Sequence, residues 1–254
     1  MAGYREIAAD LREAIAAGEY APGAQIPTEH ALAERYGVSR ETVRRALAEL
    51  RAAGVLESAR AAGTRVAAPP VRLALARYAA VADPARTRAN LGPWETACAD
   101  QGIDGSVEVV SVEEAIPAPP GVAARLALPA GASMVLRRRR HLMDGRVVQL
   151  HESWMPRDLV AGTALAGQGK VVGGVYAALA AAGMRPATAS EELSARPAAL
   201  AEQSDLGLAA VGWVLELWRT TRDVTGRPLE ALQVVSDARR VTYVYDDLPI
   251  RGER

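Results

Sequence analysis

Apolar positions near the start of the chain recur every three or four residues, which is the spacing of one helix face. In residues 4–17 they are Tyr4, Ile7, Leu11 and Ile15, and Gly18 follows them. Because glycine readily takes the left-handed conformation that ends helices, this pattern predicts a first helix over these residues that stops at Gly18.

Two further helices and a hairpin are predicted to follow. Thr28 can cap a second helix that runs to Tyr36 and stops at Gly37, and Ser39 can cap a third from Arg40 to about residue 52. The third helix carries a packing stripe of Val43, Ala46, Leu47 and Leu50. Residues 55–68, VLESARAAGTRVAA, predict two short strands around a tip that contains glycine.

The pattern changes after residue 68. Pro69 and Pro70 stiffen a predicted linker, 69–77. Beyond it, strands are predicted at 107–112, 133–142, 147–154, 213–222, 229–236 and 239–245, and helices at 93–101, 121–128, 171–182 and 197–206. This is an α+β pattern dominated by antiparallel hairpins. We therefore predict domains at 1–68 and 78–250.

Part of the second domain repeats. GASMVLRRRRHLMDGRVVQ begins at Gly131, and GWVLELWRTTRDVTGRPLE begins at Gly212, 81 residues later. Each copy predicts a strand, a tight turn and a returning strand. Chance similarity is the alternative, but a duplication would give two related hairpins in one sheet, with a cleft between the halves.

The formal charge of the 254-residue chain is zero, with thirty basic and thirty acidic residues, so a basic coat over the whole surface is excluded. Charge is nevertheless concentrated locally. Residues 38–66 hold six arginines and three acids, a net +3, which acids in residues 1–37 offset. Positive charge is therefore available on one element.

Several features bear on the cell compartment. Cys98 is the single cysteine, so no intrachain disulfide can form, which fits a reducing interior. A buried structural thiol is a commoner role for such a residue than a nucleophile. The N-terminus has no apolar signal core, and no run of about 18 apolar residues occurs. We expect a soluble cytoplasmic protein without a membrane partner.

The third helix has the properties of a helix that reads DNA. Its outer face presents Arg40, Arg44 and Arg45, whose planar guanidinium groups suit guanine edges and phosphates. The short second helix and the turn at Gly37 match a helix-turn-helix, and the hairpin would be its wing. A solvated amphipathic helix is the alternative. Three helices and a hairpin in this order favour DNA binding.

Residues 4–66 resemble the winged helix of GntR-family repressors. The resemblance implies DNA contacts at Ser39, Arg40, Thr42 and Arg44, with others from the second helix and the wing. The full set of expected DNA-binding residues is Thr28, His30, Ser39, Arg40, Thr42, Arg44, Arg45, Arg60, Gly63 and Thr64. Two departures matter: His30 replaces a common arginine, and Ala61 and Ala62 replace a glycine and an arginine of the wing.

The second domain is similar to the UTRA effector domain of the HutC subfamily. The similarity lies in LPAG before a strand, in DGRVVQLHESWMP and in RDVTGRPLEAL. It implies a chorismate-lyase-like antiparallel sheet with helices, a cleft for small ligands, and dimers. Expected effector-binding residues are Trp94, Arg137, Arg139, His141, His151 and Glu230.

Alternation along the strand independently puts Arg137, Arg139 and His141 on one face, matched in the repeat by Trp218, Thr220 and Arg222. A solvated or salt-bridged edge is the alternative for such an arginine strand. Sugar-phosphate sensors of this family tend to offer serine and threonine at the helix start near residue 92. Here Gly92, Pro93 and Trp94 stand there, so we expect an effector that is not a sugar phosphate.

These observations predict a dimeric repressor that a small-molecule effector releases from a palindromic operator in double-stranded DNA. One alternative is a constitutive DNA-binding control protein whose second domain only dimerises. Another is a lyase-like enzyme, but no Ser-His-Asp order, phosphate loop or metal-ligand cluster is evident, and the three histidines are scattered. We expect no catalytic residues, metal or cofactor.

Overall fold

A computed structural model describes residues 3–59, 63–74, 91–208 and 212–246. The contacts divide the chain into two units, residues 1–70 and 71–254. Each unit has its own hydrophobic core. Each is therefore described by itself.

The first unit is a winged helix-turn-helix, as predicted. Its elements are α1 (Tyr4–Ala16), α2 (Glu29–Tyr36), α3 (Arg40–Ala52), β1 (Leu56–Ala59) and β2 (Gly63–Val66). The predicted apolar stripes of α1 and α3 meet in one core with Leu32 of α2. The caps are also those predicted: the Thr28 and Ser39 side chains accept hydrogen bonds from Ala31 and Thr42, and Gly37 ends α2 at φ +63°.

The wing is an antiparallel hairpin with Leu56 opposite Val66. Residues 23–26 run along its second strand: Val66 N donates to Ala24 O, and Ile26 N donates to Thr64 O. Residues 23–26 therefore act as a third, short strand of the wing, and their hydrogen bonds fix the base of the hairpin. Its tip, residues 60–62, lies outside the described residues.

The second unit is built on a six-stranded antiparallel sheet in the order β4-β5-β6-β9-β8-β7. The sheet strands are β4 (Gly105–Pro117), β5 (Ser133–Met143), β6 (Arg146–Pro156), β7 (Pro186–Pro197), β8 (Trp213–Asp223) and β9 (Pro228–Asp237). The helices are α4 (Pro93–Ala99), α5 (Pro120–Arg125), α6 (Arg157–Val160), α7 (Gly174–Ala181) and α8 (Leu200–Leu206). A separate parallel pair joins β3 (Val71–Ala74) to β10 (Val241–Val244). The predicted α+β architecture is confirmed.

Two strands differ from the expectation. β3 lies inside the predicted linker 69–77, where the packing of Val71 and Leu73 makes the chain part of the second unit. β7 was not predicted because it is an edge strand whose residues are exposed on both faces. Without a buried face, no apolar alternation marks it in the sequence.

The sheet consists of two copies of one β-α-β-β unit, and its strand order reads the same from either edge. Both hairpins carry the same bulge, at Val148 and at Leu229, which are 81 residues apart and fully buried. A shared irregularity at equivalent buried positions supports duplication more strongly than the sequence alignment does.

The register corrects the alignment by one residue in the first strand of each hairpin. Ser133 faces Pro117 and Trp213 faces Pro197, so β5 and β8 correspond at an offset of 80. In the returning strands, β6 and β9, the offset is 81. The reason is that the turn of the second hairpin, residues 224–226, is one residue longer than the turn of the first hairpin, residues 144–145. Since a one-residue shift exchanges the faces of a strand, Arg139 corresponds to Arg219, and the predicted match with Thr220 was wrong.

Candidate functional site

The outward face of α3 is the candidate nucleic-acid surface. Its inner stripe is completely buried, which leaves Arg40, Arg44 and Arg45 exposed on the other side. The Ser39 hydroxyl accepts a hydrogen bond from Thr42 N at 3.2 Å and lies 3.0 Å from the Thr42 hydroxyl. The N-terminal turn of α3 is thus rigidly capped, and its first arginine projects from a fixed position.

The three arginines of this face have different surroundings. Arg44 pairs with Glu41 at 3.0 Å and with Glu29 at 3.6 Å. The guanidinium of Arg45 lies 4.6 Å from the ring centre of Tyr4. Among the described residues Arg40 has no such partner. It can therefore meet a base or phosphate without breaking an internal contact, whereas Arg44 must exchange its carboxylates for a new partner.

The predicted contacts outside α3 are more constrained. His30 is exposed and lies 3.4 Å from Glu34. The Thr64 hydroxyl on the wing accepts a hydrogen bond from Arg51 at 2.7 Å. Gly63 has φ +77°, and a Cβ there would lie 2.9 Å from Gln25. Arg60 lies outside the described residues.

One face of the large sheet carries a pocket of about 780 Å³, including its open mouth. Its floor is formed by β4, β5, β6, β8 and β9, and its sides by α4, α7 and residues 170–171. Most of the wall is apolar. The apolar wall residues are Val107, Val109, Val171, Val175, Leu232 and Trp94, together with Pro93 and the glycines at 92 and 174.

Arg137 is buried on this floor and holds a loop in place. Its guanidinium donates hydrogen bonds to the carbonyl oxygens of Leu165 at 2.9 Å, Gly167 at 2.5 Å and Gly169 at 2.8 Å. Burial, together with the charge of Arg139, lowers the pKa of Arg137 to about 10, so it remains a cation at neutral pH. Its Nε is buried without a hydrogen-bond partner. Arg137 is therefore a buried cation whose partners are neutral.

Two more arginines reach the pocket from equivalent strands. Arg139 donates to the Ser153 hydroxyl at 2.5 Å. Arg219 forms an ion pair with Glu191 of the edge strand at 2.5 Å. Tyr176 of α7 lies beside them, with its hydroxyl 2.9 Å from that of Thr221. Both halves of the sheet thus contribute arginines to the same floor.

The histidines form a stack. The rings of His141 and His151 lie 3.7 Å apart and nearly parallel, and Trp94 lies 5.2 Å from His141. Burial, with the nearby charge of Arg139, lowers the pKa of both histidines well below the usual value. They are therefore neutral at neutral pH. His151 Nε2 lies 3.3 Å from Gln149 Oε1, whereas neither ring nitrogen of His141 has a hydrogen-bond partner.

The acids of the pocket are buried as well. Glu230 is only 1% exposed, and its Oε1 has no hydrogen-bond partner. Glu95 accepts a hydrogen bond from Gly92 N at 2.7 Å and forms an ion pair with Lys170, the single lysine of the chain. Both partners of Glu95 thus belong to the protein itself. One carboxylate oxygen of Glu230, in contrast, can still accept a hydrogen bond from a bound ligand.

Similarity to known sequences identifies the family of this chain. The profile described as bacterial regulatory proteins of the gntR family matches residues 3–66, and that of the UTRA domain matches residues 100–242. An HTH-type transcriptional regulator of Streptomyces coelicolor is 32% identical over 96% of this chain and 91% of its own length.

The chain belongs to the GntR family of bacterial transcriptional regulators. A solved GntR-family regulator matches this GntR regulator over 98% of both chains, at 30% identity and a TM-score of 0.60. PhnF of Mycobacterium smegmatis, at 23% identity and a TM-score of 0.62 over 97% of this chain and 99% of its own, has the same fold. The mannosyl-D-glycerate transport/metabolism system repressor MngR of Escherichia coli is 33% identical over 60% of this chain and 58% of its own. DNA binding and transcription regulation are therefore established for this GntR regulator at the level of the family.

The structure brings together all six residues predicted for the effector. Trp94, Arg137, Arg139, His141, His151 and Glu230 all line the one pocket. The pocket also contains four residues that were not predicted from the sequence, namely Glu95, Lys170, Tyr176 and Arg219. An 80-residue offset in the repeat would have found Arg219, and the isolation of Lys170 as the single lysine was a second available signal.

The described part of this GntR regulator has neither a membrane-spanning helix nor a metal-binding cluster. None of its helices is both long and apolar enough to cross a membrane. Within the same residues, no group of three or more histidine, cysteine or acidic side chains is arranged to hold a metal ion.

Proposed function

We propose that this GntR regulator is an effector-responsive repressor that binds a palindromic operator as a dimer. The pocket carries the proposal. Its wall is mostly apolar, and three buried side chains in it, Arg137, His141 and Glu230, have atoms without hydrogen-bond partners. Leaving such groups unsatisfied is costly, and a ligand that satisfies them would bind with corresponding specificity.

The DNA-binding surface is proposed to be α3 with its flanks. Arg40 and Arg44 suit guanine edges, Ser39 and Thr42 suit phosphates, and Arg45 supports the helix over Tyr4. Thr28, His30, Gly63, Thr64 and Arg60 are proposed backbone contacts. In a dimer, two such helices would enter major grooves about one turn, roughly 34 Å, apart.

Residues 1–68 are proposed as the DNA-binding domain and 78–250 as the effector-binding and dimerisation domain of HutC type. Some relatives have names that state repression, among them MngR and the fructoselysine utilization operon repressor of Shigella flexneri, described as probable. Effector would release DNA if it binds the DNA-free form more tightly, by a coupling free energy of about 1–3 kcal/mol.

The test begins with operator selection from a pool of random duplexes, using the full-length protein. We expect an inverted repeat, and a single selected half-site would contradict dimeric recognition. Compounds that raise the melting temperature are then added to the operator complex. Release by at least one of them supports an effector-responsive repressor, whereas binding that no pocket ligand alters would favour the constitutive alternative.

Replacement of Glu230 separates the two surfaces. Glu230→Ala is expected to leave operator affinity unchanged, because Glu230 lies in the pocket and not on α3, but to abolish release by the effector. Fluorescence anisotropy of labelled operator measures both properties. Full release from the Glu230→Ala variant would show that the effector acts elsewhere.

A further inference from the structure

Two pairs of polar residues stand at equivalent places in the two hairpins. His141 lies opposite Gln149 in the first hairpin, and Thr221 lies opposite Glu230 in the second. Each pair directly adjoins the bulge of its hairpin, and bulges commonly redirect side chains next to functional sites. The duplication has thus placed a polar pair at matching points of the sheet. One member of each pair, His141 or Glu230, lines the pocket.

In each pair the protein satisfies one member and leaves the other incomplete. Gln149 donates to two hydroxyl groups, at 2.9 and 3.1 Å, and the Thr221 hydroxyl lies 2.9 Å from that of Tyr176. Within the described residues, in contrast, neither ring nitrogen of His141 nor Oε1 of Glu230 has a hydrogen-bond partner. These two side chains are only 5% and 1% exposed. Buried polar atoms in this state cost free energy that a ligand can recover.

The two polar pairs lie far apart along the sheet. β6 runs beside β9 with Glu152 opposite Gln233, and the offset of 81 also relates these two residues, so they mark the centre of the duplicated sheet. From this centre, Gln149 lies three residues away in one direction and Glu230 three residues away in the other. At about 3.3 Å per residue, the pairs are separated by roughly 20 Å along the strands. One pocket nevertheless joins them, so a ligand that meets both ends is elongated.

The wall between the two ends is suited to a hydrocarbon body. Its aliphatic residues are Val109, Val171, Val175 and Leu232. On the floor, Arg139 donates to Ser153, and Arg219 pairs with Glu191. Arg137 Nε is a buried donor without a hydrogen-bond partner in the described part of the chain, and an ether or carbonyl oxygen in the body would satisfy it. The body of a ligand therefore gains mainly apolar contact here.

We propose that the effector is an elongated molecule with a hydrogen-bonding group at each end, one donating to Glu230 and the other bonding to His141, joined by a mainly apolar body. A hydroxyl or an amino group suits Glu230. A hydroxyl or a primary amide suits His141, because each nitrogen of a neutral imidazole is a donor in one tautomer and an acceptor in the other. This inference rests on the proposed function, since it assigns the chemistry of the same pocket.

The test uses the full-length protein and a series of ω-hydroxyalkanamides with three to eleven methylene groups. Calorimetry compares each with two single-headed compounds of the same length, the alkanamide and the alcohol. Affinity is expected to pass through a maximum at one length, where the two-headed compound binds about tenfold or more tightly than either single-headed compound. Hydrocarbon contact alone would strengthen binding steadily with every methylene group. A steady rise, equal affinity of a single-headed compound, or no binding at millimolar concentration overturns the proposal.

Replacing either end tests the two contacts separately. Glu230→Met and His141→Phe keep much of the side-chain volume and remove the hydrogen-bonding atoms. Each variant is expected to bind the two-headed compound no more tightly than one of the single-headed compounds. Glu192→Met on β7 is the matched control, because Glu192 is exposed and pairs with Arg125 away from the lining. The proposal is overturned if either pocket variant keeps the wild-type preference for the two-headed compound, a ratio that a general loss of affinity does not change.

Failure of the ligand class and failure of the proposed function are distinguishable. A compact compound that binds one end of the pocket and releases operator would overturn the ligand class and leave the repressor function intact. If no pocket ligand of any class releases the selected operator, the proposed function itself fails.

Discussion

The same guanidinium group serves opposite purposes at Arg40 and Arg137. Arg40 stands exposed at the start of a capped helix, whereas Arg137 is buried and bonded to three carbonyls. The sequence predicted the face on which each arginine lies, because alternation and helical spacing determine it. It could not predict that Arg137 holds a loop, since the carbonyls are supplied by residues 165–169, about thirty positions further along the chain.

Arg40 offers the simplest test of DNA reading. Arg40→Ala is expected to weaken operator binding by about 1–3 kcal/mol and to relax the base preference at one position of each half-site. Affinities for the operator and its single-base variants, measured by anisotropy, would show both effects. The control is Arg12→Ala, which removes the same exposed side chain from α1. If the Arg40 variant retains both affinity and base preference, α3 does not read DNA through this residue.

Gly37 tests the turn between α2 and α3. Its φ of +63° is disfavoured for residues with a Cβ. No atom lies within 4 Å of the place that a Cβ would take, so a substitution at Gly37 introduces backbone strain without a steric clash. Gly37→Ala is expected to destabilise the first unit by about 1–2 kcal/mol. Asparagine tolerates this conformation better, so Gly37→Asn should cost less. Thermal unfolding compares them, and equal melting temperatures would contradict a strained turn.

At the scale of elements, the hairpins of the second unit were predictable and the edge strand β7 was not. β5, β6, β8 and β9 each bury residues on the sheet and are rich in apolar positions. β7 is held by backbone pairing to β8 and leaves most of its side chains in solvent. Pairing of this kind depends on the partner strand, so local sequence carries little information about it.

Three backbone carbonyls of the loop over residues 165–169 accept hydrogen bonds from one side chain, that of Arg137. Arg137→Lys removes the planar fork, and one ammonium group cannot bond all three carbonyls. We expect a loss of about 2–3 kcal/mol in the local stability of this loop, seen as faster amide exchange at 165–171. Arg140→Lys on the same strand is the control, since Arg140 pairs with Asp205 elsewhere. Unchanged exchange in the Arg137 variant would mean that other contacts hold the loop.

At the scale of the whole molecule, the formal charge of zero results from an uneven distribution of charged residues between the two units. The N-terminal unit concentrates positive charge in residues 38–66, and the second unit places three arginines around a pocket. The sequence predicted two domains and their classes because each has its own residue pattern. It could not predict the ion pairs of the pocket, because partners such as Glu95 and Lys170 lie 75 positions apart in the chain.

The buried histidines make stability depend on pH. His141 and His151 have lowered pKa values in the folded state, so the unfolded chain binds more protons below its own histidine pKa of about 6.5. Stability should therefore be constant above about pH 7 and fall as the pH drops below 6.5, by up to about 1.4 kcal/mol per unit for each histidine. Urea unfolding of the second unit from pH 5.5 to 7.5 measures the slope.

Two variants identify the source of this slope. Replacing both His141 and His151 by glutamine should flatten it, whatever happens to the absolute stability. His30→Gln, at an exposed position of the first unit, should leave it unchanged. A slope that persists in the double variant would have to arise from other groups.

The unequal turns of the two hairpins have a practical consequence. One turn has a residue more than the other, yet the bulges at Val148 and Leu229 and the floor beyond them keep matching positions. Hairpin tips can thus change length without displacing the binding surface. The longer tip also bears Val224, which is 79% exposed. A fluorescent peptide inserted there would label the molecule and leave its recognition chemistry intact.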